Sequence, residues 1–301
     1  MTDPQNPSRF LTDPAPTARP SLWTLWRPRL SSILFHIAVT LLAIVFLMPL
    51  LWMITAAFKT ADDLADSPLP FSHLGHLTLN NFRLLATALD YPRWFANSLF
   101  LASSATVLVV LLSSLGGFAL AKYRFGGQKF ILLAMLATML LPVQVLLPSE
   151  YELMFHFRWI DTYASILIPG AVSVFGLFLF RAAMQQVPDE LLQCARIDGS
   201  SELRLWWQFA LPLTRPMTAA FTLISFLANW NSFLWPQIML QDQAKYTLPI
   251  ALASLVGLPQ YQSNPGLLMA ATLLGVLPVI VLFFVLQRDF ISGLATGAFK
   301  G

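Results

Sequence analysis

The chain has 301 residues, 56% of them hydrophobic and 11% charged, with a formal net charge of +3. A soluble domain is about 25% charged, so this composition excludes an ordinary water-soluble globular protein. The small positive charge is no sign of a nucleic-acid partner, because no basic cluster is interleaved with aromatics. Charge-free windows cover 30–58, 94–121, 130–149, 162–180, 216–241 and 246–287. A bilayer core needs about 20 apolar residues per helix. Each of the first five windows fits one span. The sixth is interrupted by QYQSNPG at 260–266, which leaves Leu267–Gln287 as its spanning part.

The expected fold is therefore all-α: a polytopic membrane protein with six transmembrane helices, over about 30–58, 94–121, 130–148, 163–184, 216–240 and 267–287, within a membrane domain of 30–290. Residues 1–29, rich in Pro, Ser, Thr and Arg, read as a disordered cytoplasmic tail. The first apolar run is too long for the core of a cleaved signal and reads as a retained anchor. With the N-terminus inside, thirteen Lys and Arg fall on the inner side and five on the outer, together the 18 of the chain. That asymmetry favours both termini inside. Between the first two spans, LTLNNFRLLATAL reads as a short amphipathic helix. In the second span SSLGG, residues 113–117, invites close approach of another helix. The third contains Pro142 and Pro148, and residues 291–301 read as a cytoplasmic tail.

Several chemistries are missing. No Asp, Glu, Lys or Arg lies inside the six windows, and an ion-driven carrier usually needs such a group. An ion-coupled secondary carrier is thereby disfavoured but stays as the alternative. No HExxH zinc pair, Ser/His/Asp set or GxxxxGK[ST] phosphate loop occurs. No catalytic residue, resident metal or cofactor is expected. Uphill transport would draw its energy from another chain.

The longest mixed-polarity stretch, PDELLQCARIDGSSELRLWWQFALPLTRP from Pro188 to Pro216, falls on the inner side between helices four and five. Pro188 suits a helix start, and Asp189 and Glu190 complement the helix dipole. Leu191, Leu192, Ala195 and Ile197 give an apolar side. Gly199 is a left-handed stop. Ser200 or Ser201 caps a second helix, which sets Leu203, Trp206, Trp207 and Phe209 against Glu202, Arg204 and Gln208. Pro212 marks its end. The residues alone describe a helix–Gly–helix elbow over 188–212, equally a connector or a docking element.

The stretch resembles the cytoplasmic loop of ATP-binding-cassette importer permeases, EAA–x–x–DGA–x8–I–x–LP. Asp198-Gly199 and Leu211-Pro212 stand at the family spacing. Gln193, Cys194 and Phe209 stand where the pattern has Glu, Ala and Ile. Glu190, one turn earlier, is placed to supply the charge that Gln193 lacks. PDEL-x-x-x-ARIDG, WNSFLWP, TLPIALAS and the closing GL-x-x-GA-x-KG are similar to the smaller, six-helix subunit of the carbohydrate and glycerol-phosphate importers. The resemblance runs from helix one to the last residue.

The resemblance implies the type I importer permease fold in a bacterial inner membrane. It implies a second permease subunit, two ATPase subunits that bind ATP and Mg, and an extracytoplasmic solute-binding protein. The docking core toward the ATPase would be Glu190, Gln193, Ala195, Arg196, Asp198 and Gly199, with Gly293–Gly301 adding contacts. Asn229, Trp230, Asn231, Ser232 and Trp235 in helix five would line a solute path, since amides and aromatic faces suit sugars and polyols. The other reading of those five is interhelical hydrogen bonding and packing, and in related two-subunit transporters the partner holds most of the solute contacts.

Overall fold

The computed structural model describes residues 22–67, 69, 71–72, 74–256 and 264–298. The expectations for the tail over 1–21 and for 299–301 lie outside them. Among the described residues every regular element is helical. Residues up to Trp52 form one compact unit and Met53 onward a second.

Helix α1, Leu22–Ala57, starts eight residues before the expected span because LWTLW is itself a helix-compatible apolar run. In the first unit its large side chains, Phe35 and Phe46 among them, are exposed, as suits a helix whose solvent is lipid. Short helices α2 (Ala61–Asp66) and α3 (Asn80–Thr87) follow. The turn between α1 and α2 is held by Lys59, only 1% exposed, whose Nζ donates to Leu69 O at 2.7 Å and Ser72 Oγ at 2.9 Å. Asn81 Nδ2 donates to Ala57 O and Lys59 O at 2.9 and 2.8 Å.

The axis of the second unit is α4, Tyr91–Lys122, 32 residues of which 39% of the spanning window is buried. Then come α5 (Gln128–Thr138), α6 (Val143–His156), α7 (Ala164–Leu167), α8 (Val174–Met184), α9 (Asp189–Ile197) and α10 (Glu202–Leu213). The chain closes with α11 (Arg215–Trp230), α12 (Leu234–Met239), α13 (Leu248–Val256) and α14 (Pro265–Ala298). Helix α4 packs against α8 and α11, and α11 against α14. Helix α14 continues through Ala298, past the expected end at 287, with no proline in that stretch and no break at Gly293 or Gly297.

Three described helices are long and apolar enough to cross a membrane, Ser32–Ala57, α4 and Pro265–Asp289; counting the bent pairs α5/α6 and α10/α11 as single spans raises the number to five. Three of the expected spans are interrupted. The one over 130–148 bends by 101° between α5 and α6, where Pro142 is extended at ψ 126 and biases Leu141 away from the helix. The one over 163–184 breaks at Pro169-Gly170 between α7 and α8. The one over 216–240 breaks at Asn231–Phe233 between α11 and α12. Backbone groups freed inside a membrane need partners, and α4 supplies some. Ser173 N–H donates to Ser113 Oγ at 3.3 Å, while Ser173 Oγ caps α8 by accepting from Gly176 N–H at 3.1 Å.

The small residues of α4 allow this closeness. A Cβ on Gly117 would stand 2.5 Å from Phe180 Cβ and 2.9 Å from Arg181 N, and one on Gly116 would stand 2.3 Å from Leu177 Cδ2. Gly117→Ala is expected to destabilise the second unit by about 1–3 kcal/mol, the usual range for overpacking a core, and so to lower the thermal midpoint in detergent. Gly126→Ala is the control, because nothing lies within 4 Å of its Cβ position, and it should shift stability by no more than about 0.5 kcal/mol. Equal midpoints for the two variants would refute the close-approach account.

Candidate functional site

The stretch Pro188–Leu213 folds as an elbow. Pro188 precedes α9 in extended conformation, ψ 132. Helix α9 ends at Gly199, whose φ of +82 is open to glycine at little cost. Gly199 N–H donates to Arg196 O and Ser200 N–H to Ala195 O, both at 3.0 Å, the paired closing bonds of a Schellman stop. Ser201 opens α10, extended at ψ 157, without a side-chain cap bond.

From Leu205 to Ala210 the second helix widens into a π turn, and Leu211 N–H reaches back to Trp206 O. Pro212 has no N–H to give Gln208 O, and its ring would clash there. The wider turn absorbs that conflict, so Pro212 lies inside the last turn and the helix runs on to Leu213. The two tryptophans lie on different sides, as adjacent helical residues do: Trp206 is 9% exposed and Trp207 55%.

The expected apolar sides are split in the same way. Leu192, Ala195, Leu205, Trp206 and Ala210 join one cluster with Phe118 of α4, Phe180 and Met184 of α8 and Phe221 of α11. Leu191, Ile197, Leu203 and Trp207 face outward, Ile197 being 86% exposed. At about 100° per residue, Leu192 and Ala195 share a face that Ile197 leaves. The outer face also carries Glu190, Gln193, Cys194 and Asp198. Of the six expected docking residues, Glu190, Gln193, Asp198 and Gly199 are thus exposed, Arg196 is half-buried, and Ala195 points into the core.

Polar contacts tie the elbow to the end of α4. Lys122 Nζ, 5% exposed, donates to Val187 O and Asp189 Oδ1, both at 2.6 Å. Arg196 Nε and Nη2 donate to Glu202 Oε1 and Oε2 at 2.8 and 3.1 Å, and Tyr123 OH donates to Glu202 as well. Hydrogen bonding and charge from Lys122 hold the Asp189 carboxyl below its ordinary range. Arg196, then Tyr123, do the same for Glu202, which in turn raises Arg196. Burial first, then Glu202, raises Tyr123. Sequence reading passed over Lys122 and Tyr123; both close a predicted span, and only the fold brings them to residues 67 and 79 positions away.

Beside α4, near its other end, lies a cleft of about 240 Å³. Asn229, Ser232 and Trp235 line it, together with Ser98, Glu150 and Thr247. Of the five expected path residues, Trp230 is instead buried, stacked on Phe226 with centroids 5.7 Å apart. Asn231 is exposed and returns its Nδ2 to Leu227 O at 2.9 Å. Trp235 Nε1 donates to Ser165 O at 2.9 Å, which fixes the ring as a wall. Glu150 was legible only as the first charge after an apolar run, and Thr247 only as the start of TLPIALAS. Among the described residues no cluster of three or more His, Cys, Asp or Glu is placed to hold a metal ion.

Residues 113–290 match the family of binding-protein-dependent transport system inner membrane components. The chain is 35% identical to the arabinooligosaccharides transport system permease protein AraQ of Halalkalibacterium halodurans, over 89% of this chain and 96% of that one. It is 34% identical to the maltodextrin transport system permease protein MdxG of Bacillus subtilis, over 90% and 97%. To the sn-glycerol-3-phosphate transport system permease protein UgpE of Salmonella typhimurium it is 31% identical, over 87% and 95%. The fold is that of a chain from the crystal structure of a bacterial ABC transporter involved in the import of the acidic polysaccharide alginate, with TM-score 0.77, 19% identity and coverage of 87% and 97%. The chain belongs to the family of binding-protein-dependent transport system inner membrane components, as a multi-pass, non-enzymatic translocation subunit of the plasma membrane.

Proposed function

We propose that this chain forms half of the membrane pathway of an ATP-driven importer for a carbohydrate or related solute, a sugar, oligosaccharide, polyol or glycerol phosphate. A second permease subunit completes the pathway. Two ATPase subunits bind ATP and Mg, one of them docking on this elbow, and an extracytoplasmic solute-binding protein delivers solute to the opposite side. The broken helices α5/α6, α7/α8 and α11/α12 serve as spans three, four and five between α4 and α14, with both termini inside.

The observation that carries this reading is the two-sided elbow. Its inner side shares a hydrophobic cluster with α4, α8 and α11, while its outer side presents Ile197, Leu203 and Trp207 beside Glu190, Gln193 and Asp198. Exposed apolar groups ringed by polar ones fit a protein partner. Ala195 and Gly199 set the elbow's shape, and the outward residues make the contact.

Movement of the ATPase then moves the bundle. Lys122 and Ser98 lie 24 positions apart on α4, which at 1.5 Å per residue is about 36 Å. One continuous helix thus joins the elbow to the cleft. ATP binding would bias a two-state membrane element through it.

Two measurements test the proposal. Gly199→Asp with Asp198→Ala should abolish uptake and weaken co-purification of the ATPase while membrane insertion persists. No atom lies within 4 Å of a Cβ at Gly199, so the fold bears only the left-handed backbone cost of roughly 1–2 kcal/mol. Normal uptake in that variant would sink the importer reading.

Lys122→Met should keep the ATPase bound yet cut uptake per ATP hydrolysed by about tenfold, within the usual range of coupling energies. Unchanged coupling would remove α4 from the force path. The Arg196–Glu202 contact is half exposed, so its effect on stability stays within about 1 kcal/mol. Glu202 has a lowered folded value. Its contribution is therefore complete above the ordinary glutamate value of 4.5 and is lost as pH falls through the lowered one. Amide protection across Arg196–Arg204, taken relative to the base-catalysed intrinsic exchange rate, should be the same at pH 6 as at pH 8.

A further inference from the structure

We infer that the cleft beside α4 is a solute subsite built for an uncharged, hydroxyl-rich molecule, a neutral saccharide or polyol, and against phosphate esters and acidic sugars. This rests on the importer reading above and narrows its solute class.

Four chain interruptions meet at the cleft. Val143 starts α6 after the 101° bend, Pro169-Gly170 separate α7 from α8, Ser232 lies between α11 and α12, and Thr247 precedes α13. Non-helical backbone inside a membrane is tolerated where it is buried in protein or lines a cavity. The breaks therefore have a shared purpose here that packing alone would not require.

The polar groups in the cleft are under-used. Thr247 is 5% exposed, and its Oγ1 is buried with no hydrogen-bond partner. A buried hydroxyl left unpaired is unfavourable, and a ligand hydroxyl would relieve it. The Glu150 side chain makes no hydrogen bond or ion pair among the described residues, and Glu150 lines the same space. Asn229 gives one Nδ2 hydrogen to Ser225 O at 2.8 Å, which leaves its Oδ1 to accept and one N–H to donate.

This set is rich in acceptors and holds one negative charge, and no Lys or Arg lines the cleft. Sugar and polyol hydroxyls are donors that suit it, and the Trp235 ring offers an apolar wall for the C–H face of a sugar. A phosphate or carboxylate brings a like charge toward Glu150, and no cation lines the cleft to offset it. The nearby Lys245 is already committed, with Nζ 2.5 Å from Asp161 Oδ2 and 2.8 Å from Asp161 O.

The test uses the complete importer in proteoliposomes, offered arabinobiose, maltotriose, lactose and sn-glycerol 3-phosphate. At least one neutral saccharide should be imported, and the phosphate should not. Thr247→Val, which removes the hydroxyl at nearly equal volume, should lower the maximal uptake rate about five- to tenfold. Thr247→Ser, which keeps the hydroxyl, should retain most of it. Import of the phosphate overturns the assignment, and so do Val and Ser variants that behave alike.

A second measurement needs no cognate solute. Cys194 is the single cysteine, so Ser232→Cys in a Cys194→Ala background gives one thiol in the cleft. In the solubilised complex, a cationic methanethiosulfonate should label it faster than an anionic one, relative to the same reagents on a free thiol. Glu150→Gln should erase that preference. An anionic preference, or one that Glu150→Gln leaves unchanged, overturns the inference. Failure of the importer reading is separate: the unsubstituted chain would then not co-purify with an ATPase.

Discussion

The second unit depends on the close approach of α4 and α8 at Gly116 and Gly117. Lipid tails are as apolar as leucine, so burying Leu or Phe between two helices yields little driving force in a bilayer, and tight packing has to supply it. Gly117 lets Phe180 and the Arg181 backbone come within the distance of a missing methyl group. Because α8 is held there, Phe180 and Met184 stand ready to receive Leu192, Ala195 and Trp206 of the elbow. Ser113, one turn earlier, also bonds the broken backbone at Ser173. One seam of small residues thus fixes a helix pair, the elbow and an interruption.

The elbow adds a second constraint, from proline. Pro212 denies Gln208 O its helical partner, and the π turn over Leu205–Ala210 takes up the mismatch. Adjacent residues on a helix point about 100° apart, so Trp206 turns toward the bundle while Trp207 stays outward. The elbow is thereby anchored on one side and exposed on the other.

Composition and charge-free windows made the all-helical membrane class legible, because they reflect the solvent directly. The elbow was legible down to its Gly199 stop, since a left-handed residue after an acidic-start helix is a local signal. The interruptions were half legible: Pro142 announces a break, but Asn231–Phe233 does not, and no local rule says that separate breaks will converge. The contacts of Lys122 and Tyr123 were invisible because they join residues far apart in the chain. Periodicity grouped Ile197, Leu203 and Trp207 with Leu192, Ala195 and Trp206 on apolar sides, and the fold divides them between bundle and outer face. It identifies apolar residues without saying which of them the rest of the chain will cover.

The cleft and the elbow make different demands, and α4 reconciles them. The elbow lies where charges are plentiful: Lys122, Asp189, Arg196 and Glu202 form contacts that water can weaken but not forbid. The cleft lies beside an apolar window, where an unneeded polar group is unfavourable. Thr247, Glu150 and Asn229 nevertheless sit there with hydrogen-bonding capacity unused. Interhelical bonding alone would have consumed it, as it does for Trp235 with Ser165. Unsatisfied groups at one end of α4 and a latched, outward-facing elbow at the other are the two features the proposed importer role requires of one helix, a contact for solute and a handle for the ATPase.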